Sequence, residues 1–294
     1  MAGPDPILRQ AIALYDRFTH EGMDRRAFMA ELTRIAGGAA AAGMLLTSVA
    51  AQAGCAPMTA PDSAGISVGT QSLQVRPGRR LSLYTAAPQG REQSAPAVVV
   101  VHENRGLTEH IRDVARRLAL AGYAAYAPDF LTSAGGTPAD EDRARTMIGA
   151  LDLGESTADG AALITELRSD GETPRKVGAV GFCWGGAMVH RLALAAGRQL
   201  AAAVPFYGPA PAPAEAARLD VPVLMILAGL DQRVNATALP YLAAAEAAGK
   251  PVRAITYSGV DHAFHNDMSA SRYNQGAATA AWSETLAFFR EHLR

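Results

Sequence analysis

Lys176-Val177-Gly178-Ala179-Val180-Gly181-Phe182-Cys183-Trp184-Gly185-Gly186 is an apolar run that breaks into glycines around one cysteine and then continues with helical patterning. In the pattern Gly-x-Ser-x-Gly a nucleophile stands on a sharp strand-to-helix turn, and glycines two residues either side relieve the crowding there. Gly181-Phe182-Cys183-Trp184-Gly185 keeps both glycines and puts Cys where Ser usually stands. Taken alone the pattern is weak, because a buried Cys is more often a small core hydrophobe than a nucleophile. The weight falls on what the rest of the chain supplies.

Working outward, the run is one of a series of alternating strands and helices. Leu73-Gln74-Val75 and Leu81-Ser82-Leu83-Tyr84, separated by Pro77-Gly78, predict an opening hairpin. Ala97 to His102 is continuously apolar up to its final His, as expected of a strand buried on both faces. A helix is predicted over Thr108 to Ala121, ended by Gly122, with a strand at Tyr123 to Ala127. A loop over Thr132 to Thr137 and two helices between Pro138 and Arg168 precede the quoted run. After it come a helix from Trp184, strands at Ala201 to Tyr207, Val221 to Ala228 and Val252 to Tyr257, and helices at Asn235 to Ala248 and Ala277 to Leu293. Repeated β-α units with buried strands predict an α/β fold, a mostly parallel central sheet with helices on both faces.

In such sheets reactive residues collect at the carboxyl ends of strands. Three polar residues fall there in the order nucleophile, acid, histidine: Cys183; Asp231, three residues past Ala228; and His262, five past Tyr257. That chain order is the one used by α/β-hydrolases. The chemistry requires it, because the thiolate is the nucleophile and a free thiol with pKa about 8.5 is mostly protonated at neutral pH. A histidine must take or hold the proton, and an acid must orient that histidine. Asp231 could instead cap the following helix, His265 rivals His262, and Asp261 rivals Asp231. At another strand end lies His102-Glu103-Asn104-Arg105-Gly106. The backbone N–H groups of Trp184 and Asn104 are the candidate oxyanion hole, and Glu103 is a candidate second base beside the thiol. Its alternatives are pairing with Arg105 or capping the helix.

The composition is that of an ordinary globular chain: 294 residues, 49% hydrophobic, 19% charged, net charge −1. Nothing in it points to nucleic acid as a partner. The two cysteines, Cys55 and Cys183, form no disulfide framework, and neither has a second ligand at metal spacing, so no metal and no cofactor are expected.

Residues 1 to about 60 read as a separate leader and linker before a catalytic domain over 61–294. Met23-Asp24-Arg25-Arg26-Ala27-Phe28-Met29 carries a twin arginine, and after Arg34 no charge appears until Asp62. A basic segment, a weakly apolar one and the small-residue site Ala51-Gln52-Ala53 make the layout of a twin-arginine export signal. The Tat export machinery is then a partner and the periplasm the destination. A retained membrane anchor is the alternative, since about 20 uncharged residues can span a bilayer. Gly54-Cys55 suggests lipid attachment, although Gln52 stands where such signals want an aliphatic residue. Upstream, Ile7, Leu8, Ala11, Leu14, Tyr15 and Phe18 fall at helical spacing.

With these residues in place, about 66–294 resembles the dienelactone hydrolase (carboxymethylenebutenolidase) family of α/β-hydrolases. The resemblance is carried by Val101-His102-Glu103-Asn104-Arg105-Gly106-Leu107, Ala127-Pro128-Asp129, Gly181-Phe182-Cys183-Trp184-Gly185-Gly186, Pro205-Phe206-Tyr207-Gly208 and His262-Ala263-Phe264-His265-Asn266-Asp267. It implies hydrolysis of a small ester or lactone through a Cys-His-Asp triad and a cysteinyl acyl-enzyme, with the Glu103 position helping to deprotonate the thiol. The best-known members hold a substrate carboxylate with arginines at positions where this chain has Asn266 and Leu131-Thr132-Ser133. Arg105 and Arg272 are candidates to replace them. Two other function classes share these residues, a redox or peroxide-handling cysteine protein and a non-catalytic binding protein on a hydrolase scaffold.

Overall fold

A strand of β-branched residues with no polar side chain is stable only between two apolar layers, and the centre of this fold is built from such strands. The computed structural model describes residues 6–20, 23–50, 57–169, 175–269 and 271–294. The hairpin is β1 (Ile66–Arg76) and β2 (Arg79–Pro88), longer at both ends than the sequence predicts. Then follow β3 (Ala97–Val101), α4 (Glu109–Leu120), β4 (Ala124–Asp129), α5 (Glu141–Gly149) and α6 (Leu153–Ser169). The second half runs β5 (Val177–Phe182), α7 (Trp184–Ala196), β6 (Ala202–Phe206), β7 (Val223–Ala228), α8 (Gln232–Ala247), β8 (Val252–Tyr257) and α9 (Gln275–Leu293).

The strands form one sheet in the order β1-β2-β4-β3-β5-β6-β7-β8, with β1, β2 and β4 antiparallel to their neighbours in the hairpin half and the remaining pairs parallel. Side chains of β3 alternate between faces. Val99 and Val101 pack with Leu163, Val189 and Leu192, while Val98 and Val100 pack with Ile111, Leu118 and Phe289. From β3 the chain moves first to β4 on one side and later to β5 on the other. The resulting crevice at the carboxyl ends of β3 and β5 is where such sheets place their reactive groups.

Ahead of this domain lie α1 (Pro6–His20), α2 (Arg25–Ala36) and α3 (Ala39–Ala50). The uncharged stretch after Arg34 is not one continuous helix, because Gly37 adopts φ +76 and ends α2. At 12 residues, α3 is about 18 Å long, short of the about 30 Å of a bilayer core. Among the described residues no helix is long and apolar enough to cross a membrane. The cleavage site Ala51-Gln52-Ala53 and Gly54-Cys55 lie outside the described residues. The catalytic domain is tied down from Met58 onward, where the backbone N–H groups of Met58 and Thr59 donate to Asp113 at 3.2 and 2.8 Å.

Candidate active site

The end of β5 has the backbone of an elbow. Cys183 sits at φ 57, ψ −115, a conformation costly for a side chain bearing a Cβ. It is held by Cys183 N–H donating to Phe206 O at 3.1 Å and Ala187 N–H donating to Cys183 O at 3.1 Å. The glycines are there for space. A Cβ on Gly181 would lie 2.3 Å from Gly185 O, and one on Gly185 would lie 2.3 Å from Val101 O. The turn therefore presses α7 onto β3, and Cys183 is left 4% exposed at the bottom of a small cavity shared with Glu103, Asn104, Arg105, His262 and Arg272.

The acid and the histidine converge on it. His262 Nδ1 lies 2.6 Å from Asp231 Oδ2. Asp231 does two jobs with its two oxygens, since Oδ1 accepts from Val234 N–H at 3.1 Å and caps α8. One carboxylate thus both caps α8 and pairs with the imidazole of His262. Burial disfavours the imidazolium of His262, yet the charge of Cys183 and then that of Asp231 hold its pKa well above the usual value. Burial likewise disfavours the charged form of Asp231, but His262 and the Val234 N–H outweigh it and lower its pKa.

The rivals are placed elsewhere. His265 stacks on Phe182 at 5.1 Å, and burial followed by the charges of His110 and Arg117 pushes its pKa well below the usual value. Asp261 accepts from the backbone N–H of His262 at 2.8 Å.

Glu103 is 7% exposed; one oxygen accepts from Asn266 Nδ2 at 2.7 Å, and Oε1 has no hydrogen-bond partner among the described residues. Met268 N–H donating to Asn266 Oδ1 at 3.1 Å fixes which end of that amide faces Glu103. Arg105, the sequence alternative as partner of Glu103, reaches Glu141 at 2.6 Å and the Tyr15 hydroxyl at 2.8 Å instead. Trp184 opens α7, where the first N–H groups have no intrahelical acceptor.

The loop that carries Glu103 and Asn104 is braced by residues whose role was not legible in the sequence. His102 donates from Nδ1 to Glu103 O at 2.7 Å, accepts at Nε2 from Phe130 N–H at 3.3 Å, and stacks on Trp184 at 5.2 Å. Burial lowers its pKa, which keeps it neutral for this bridging role. Asp129 accepts from Thr137 N–H and Oγ1 at 2.7 and 2.9 Å, and Thr137 Oγ1 in turn accepts from Leu107 N–H at 2.9 Å. Gly106 has φ +77, and a Cβ there would lie 2.3 Å from Thr137 Oγ1. Gly106→Ala is expected to displace this loop and lower kcat by roughly 10–10²-fold, within the cost of losing one oxyanion donor, with KM for a small ester little changed; unaltered kcat shows that the loop plays no part.

The whole domain matches known proteins. Residues 81–293 fit the model of the dienelactone hydrolase family. The chain belongs to the dienelactone hydrolase family. It is 34% identical over 229 residues to "Protein usf" of Aquifex pyrophilus, covering 74% of this chain and 95% of that one. It is 32% identical over 247 residues to the Escherichia coli O157:H7 protein named "Putative carboxymethylenebutenolidase", covering 79% and 89%. Among solved structures, the "Putative Dienelactone Hydrolase" of Klebsiella pneumoniae matches 77% of this chain and 99% of its own, at 29% identity and TM-score 0.70. The α/β-hydrolase fold and membership of a family of ester and lactone hydrolases follow. Three of the motifs quoted above line this cavity, namely the elbow, the Glu103 loop and the His262 loop whose Asn266 holds Glu103, and Asp129 of a fourth braces the Glu103 loop through Thr137.

Proposed function

We propose that the protein hydrolyses a small ester or lactone through a cysteinyl acyl-enzyme, with Cys183 as nucleophile, His262 as acid and base, and Asp231 orienting His262. The observation that carries the reading is the elbow conformation of Cys183 in one cavity with His262, whose Nδ1 lies 2.6 Å from Asp231 Oδ2. The thiolate attacks the substrate carbonyl carbon, and the oxyanion that forms is received by the N–H groups of Trp184 and Asn104. The tetrahedral adduct collapses to a thioester as the alkoxide leaves with the proton of the His262 imidazolium. Water then attacks the thioester with neutral His262 taking its proton, and the carboxylic acid departs as the thiolate–imidazolium pair is restored.

The alternative to a thiolate–imidazolium pair at rest is that Glu103, whose Oε1 in the cavity wall has no hydrogen-bond partner among the described residues, receives the thiol proton when substrate enters. Arg105 and Arg272, both at the cavity, are the candidate contacts for a substrate carboxylate. Exposed Arg25 and Arg26 at the start of α2 support the reading of the N-terminal segment as a twin-arginine leader for export to the periplasm.

Brief reaction with 4-nitrophenyl acetate, acid quenching and peptide mass analysis tests the chemistry. An acetyl group on the Cys183 peptide is expected in steady state, and an acetyl group found only on other residues overturns the reading. Glu103→Gln is expected to slow acylation by about 10²-fold, the lower end of general-base effects, with deacylation unchanged. Unchanged acylation assigns Glu103 to holding Asn266 alone.

A further inference from the structure

The cavity around Cys183 is closed by residues that do not belong to the hydrolase domain. Tyr15 of α1 and Val49 of α3 line it together with Glu103, Cys183 and His262, and its volume is about 40 Å³. That is room for a few waters, whereas sites for small organic ligands measure about 300–1,000 Å³. With α1–α3 seated the cavity has no room for an ester, so turnover by the full chain is confined to the fraction of molecules in which the helices have moved away.

The three helices are built as a separate piece. Ala11, Leu14, Tyr15, Phe28, Leu32 and Val49 form their own apolar cluster, distinct from the two that flank the sheet. They meet the domain through a few polar and cation–π contacts. Arg105 donates to the Tyr15 hydroxyl at 2.8 Å, Arg272 lies over the Tyr15 ring at 5.2 Å, Arg145 lies over the Phe18 ring at 4.2 Å, and Ser271 Oγ donates to Val49 O at 3.3 Å. Arg25 of α2 also pairs with Asp142 at 3.7 Å with both side chains exposed; such contacts are individually weak, so the helices can leave as a unit. On its other side α1 faces a cleft of about 590 Å³ between Ala13 and Arg17 and the Leu230-Asp231-Gln232 loop, so that flank is not packed shut.

We propose that α1–α3 are an autoinhibitory cap: seated, they plug the Cys183 pocket with Tyr15 and Val49, and their displacement or removal opens it to substrate. The same segment carries the twin arginine, so the leader doubles as the lid. The inference rests on the reading of Cys183 as the nucleophile.

The test compares the full chain with one beginning at Pro57. The shorter chain retains both cores of the domain, and the Klebsiella structure spans 99% of its own length with only 77% of this chain. The probe is iodoacetamide, with alkylation read on the Cys183 peptide because Cys55 is a second thiol of the full chain; hydrolysis of 4-nitrophenyl acetate is measured in parallel. Alkylation and kcat/KM are expected to rise at least tenfold in the shorter chain. In the full chain Arg145→Ala, which loosens the cap away from the catalytic groups, is expected to raise alkylation several-fold, and in the shorter chain to change nothing. Equal alkylation of the two chains overturns the cap, as does slower alkylation in a shorter chain whose circular dichroism is native. Should the shorter chain not fold, Arg145→Ala in the full chain decides alone, and an unchanged rate overturns the cap. Faster alkylation without turnover of any ester or lactone supports the cap and overturns the hydrolase reading instead.

Discussion

Cys183→Ala is expected to lower ester hydrolysis by roughly 10⁶-fold, the size of loss found when a hydrolase nucleophile is removed. The domain should keep its circular dichroism and melt within a few degrees of the parent. Alanine keeps the Cβ that already occupies φ 57, so no new backbone cost arises, and the residue makes no disulfide. A second readout separates a nucleophile from a buried packing residue. The charge of Cys183 is the leading upward influence on the His262 pKa, so the variant's imidazole should titrate lower by NMR than that of the parent. Normal activity in Cys183→Ala sinks the proposed chemistry; lost activity with an unmoved His262 titration shows that the thiolate–imidazolium pair is not the resting state.

Asp231→Asn is expected to cost about 10⁴-fold in kcat/KM, as it does when the orienting acid of another triad is made neutral. Asparagine still caps α8 through Val234 N–H, so stability should change little, and that contrast distinguishes the catalytic oxygen from the capping one. The pH dependence has a defined sign. His262 is charged below its raised pKa and loses its proton as pH rises through it, so in the parent the imidazolium that would pair with the proposed thiolate persists through neutral pH. Without the Asp231 charge that pKa falls, and the pair is lost from the alkaline side downward. Alkylation of Cys183 at neutral pH should therefore slow in the variant and recover only as pH approaches about 8.5, the range of a free thiol. The same measurement on the chain beginning at Pro57 removes the cap from the comparison. A parent-like pH profile in Asp231→Asn overturns the role of Asp231.

Much of this architecture was legible because its signals are local. Val98 to Val101 and Leu224 to Ala228 read as buried strands on composition alone, and each helix of the domain announces itself by spacing or a cap. The elbow was legible because a strand-to-helix turn that brings backbone within 2.3 Å of a glycine's missing Cβ leaves no alternative residue. Cys183, Asp231 and His262 could be named from the chain because each follows a strand, and strand ends share one edge of a parallel sheet.

Other parts were not legible, for reasons equally physical. His102 bridges Glu103 to Phe130 through both ring nitrogens, and Asn266 holds Glu103 across 163 positions of sequence. Nothing in the identity of a histidine or an asparagine states its partner. The N-terminal helix was visible in the spacing of Leu14, Tyr15 and Phe18, but not where its aromatic edge would rest. Sequence by itself determined the elements, their order and the three side chains proposed to react, since hydrophobic period, turn chemistry and chain order are properties of neighbouring residues. Only the tertiary structure decided that Asp231 serves both a helix and a histidine, that Glu103 keeps one oxygen without a partner among the described residues, and that Tyr15 lines the cavity of the thiol. Those are distances between segments far apart in the chain, and they exist only once the sheet has brought the segments together.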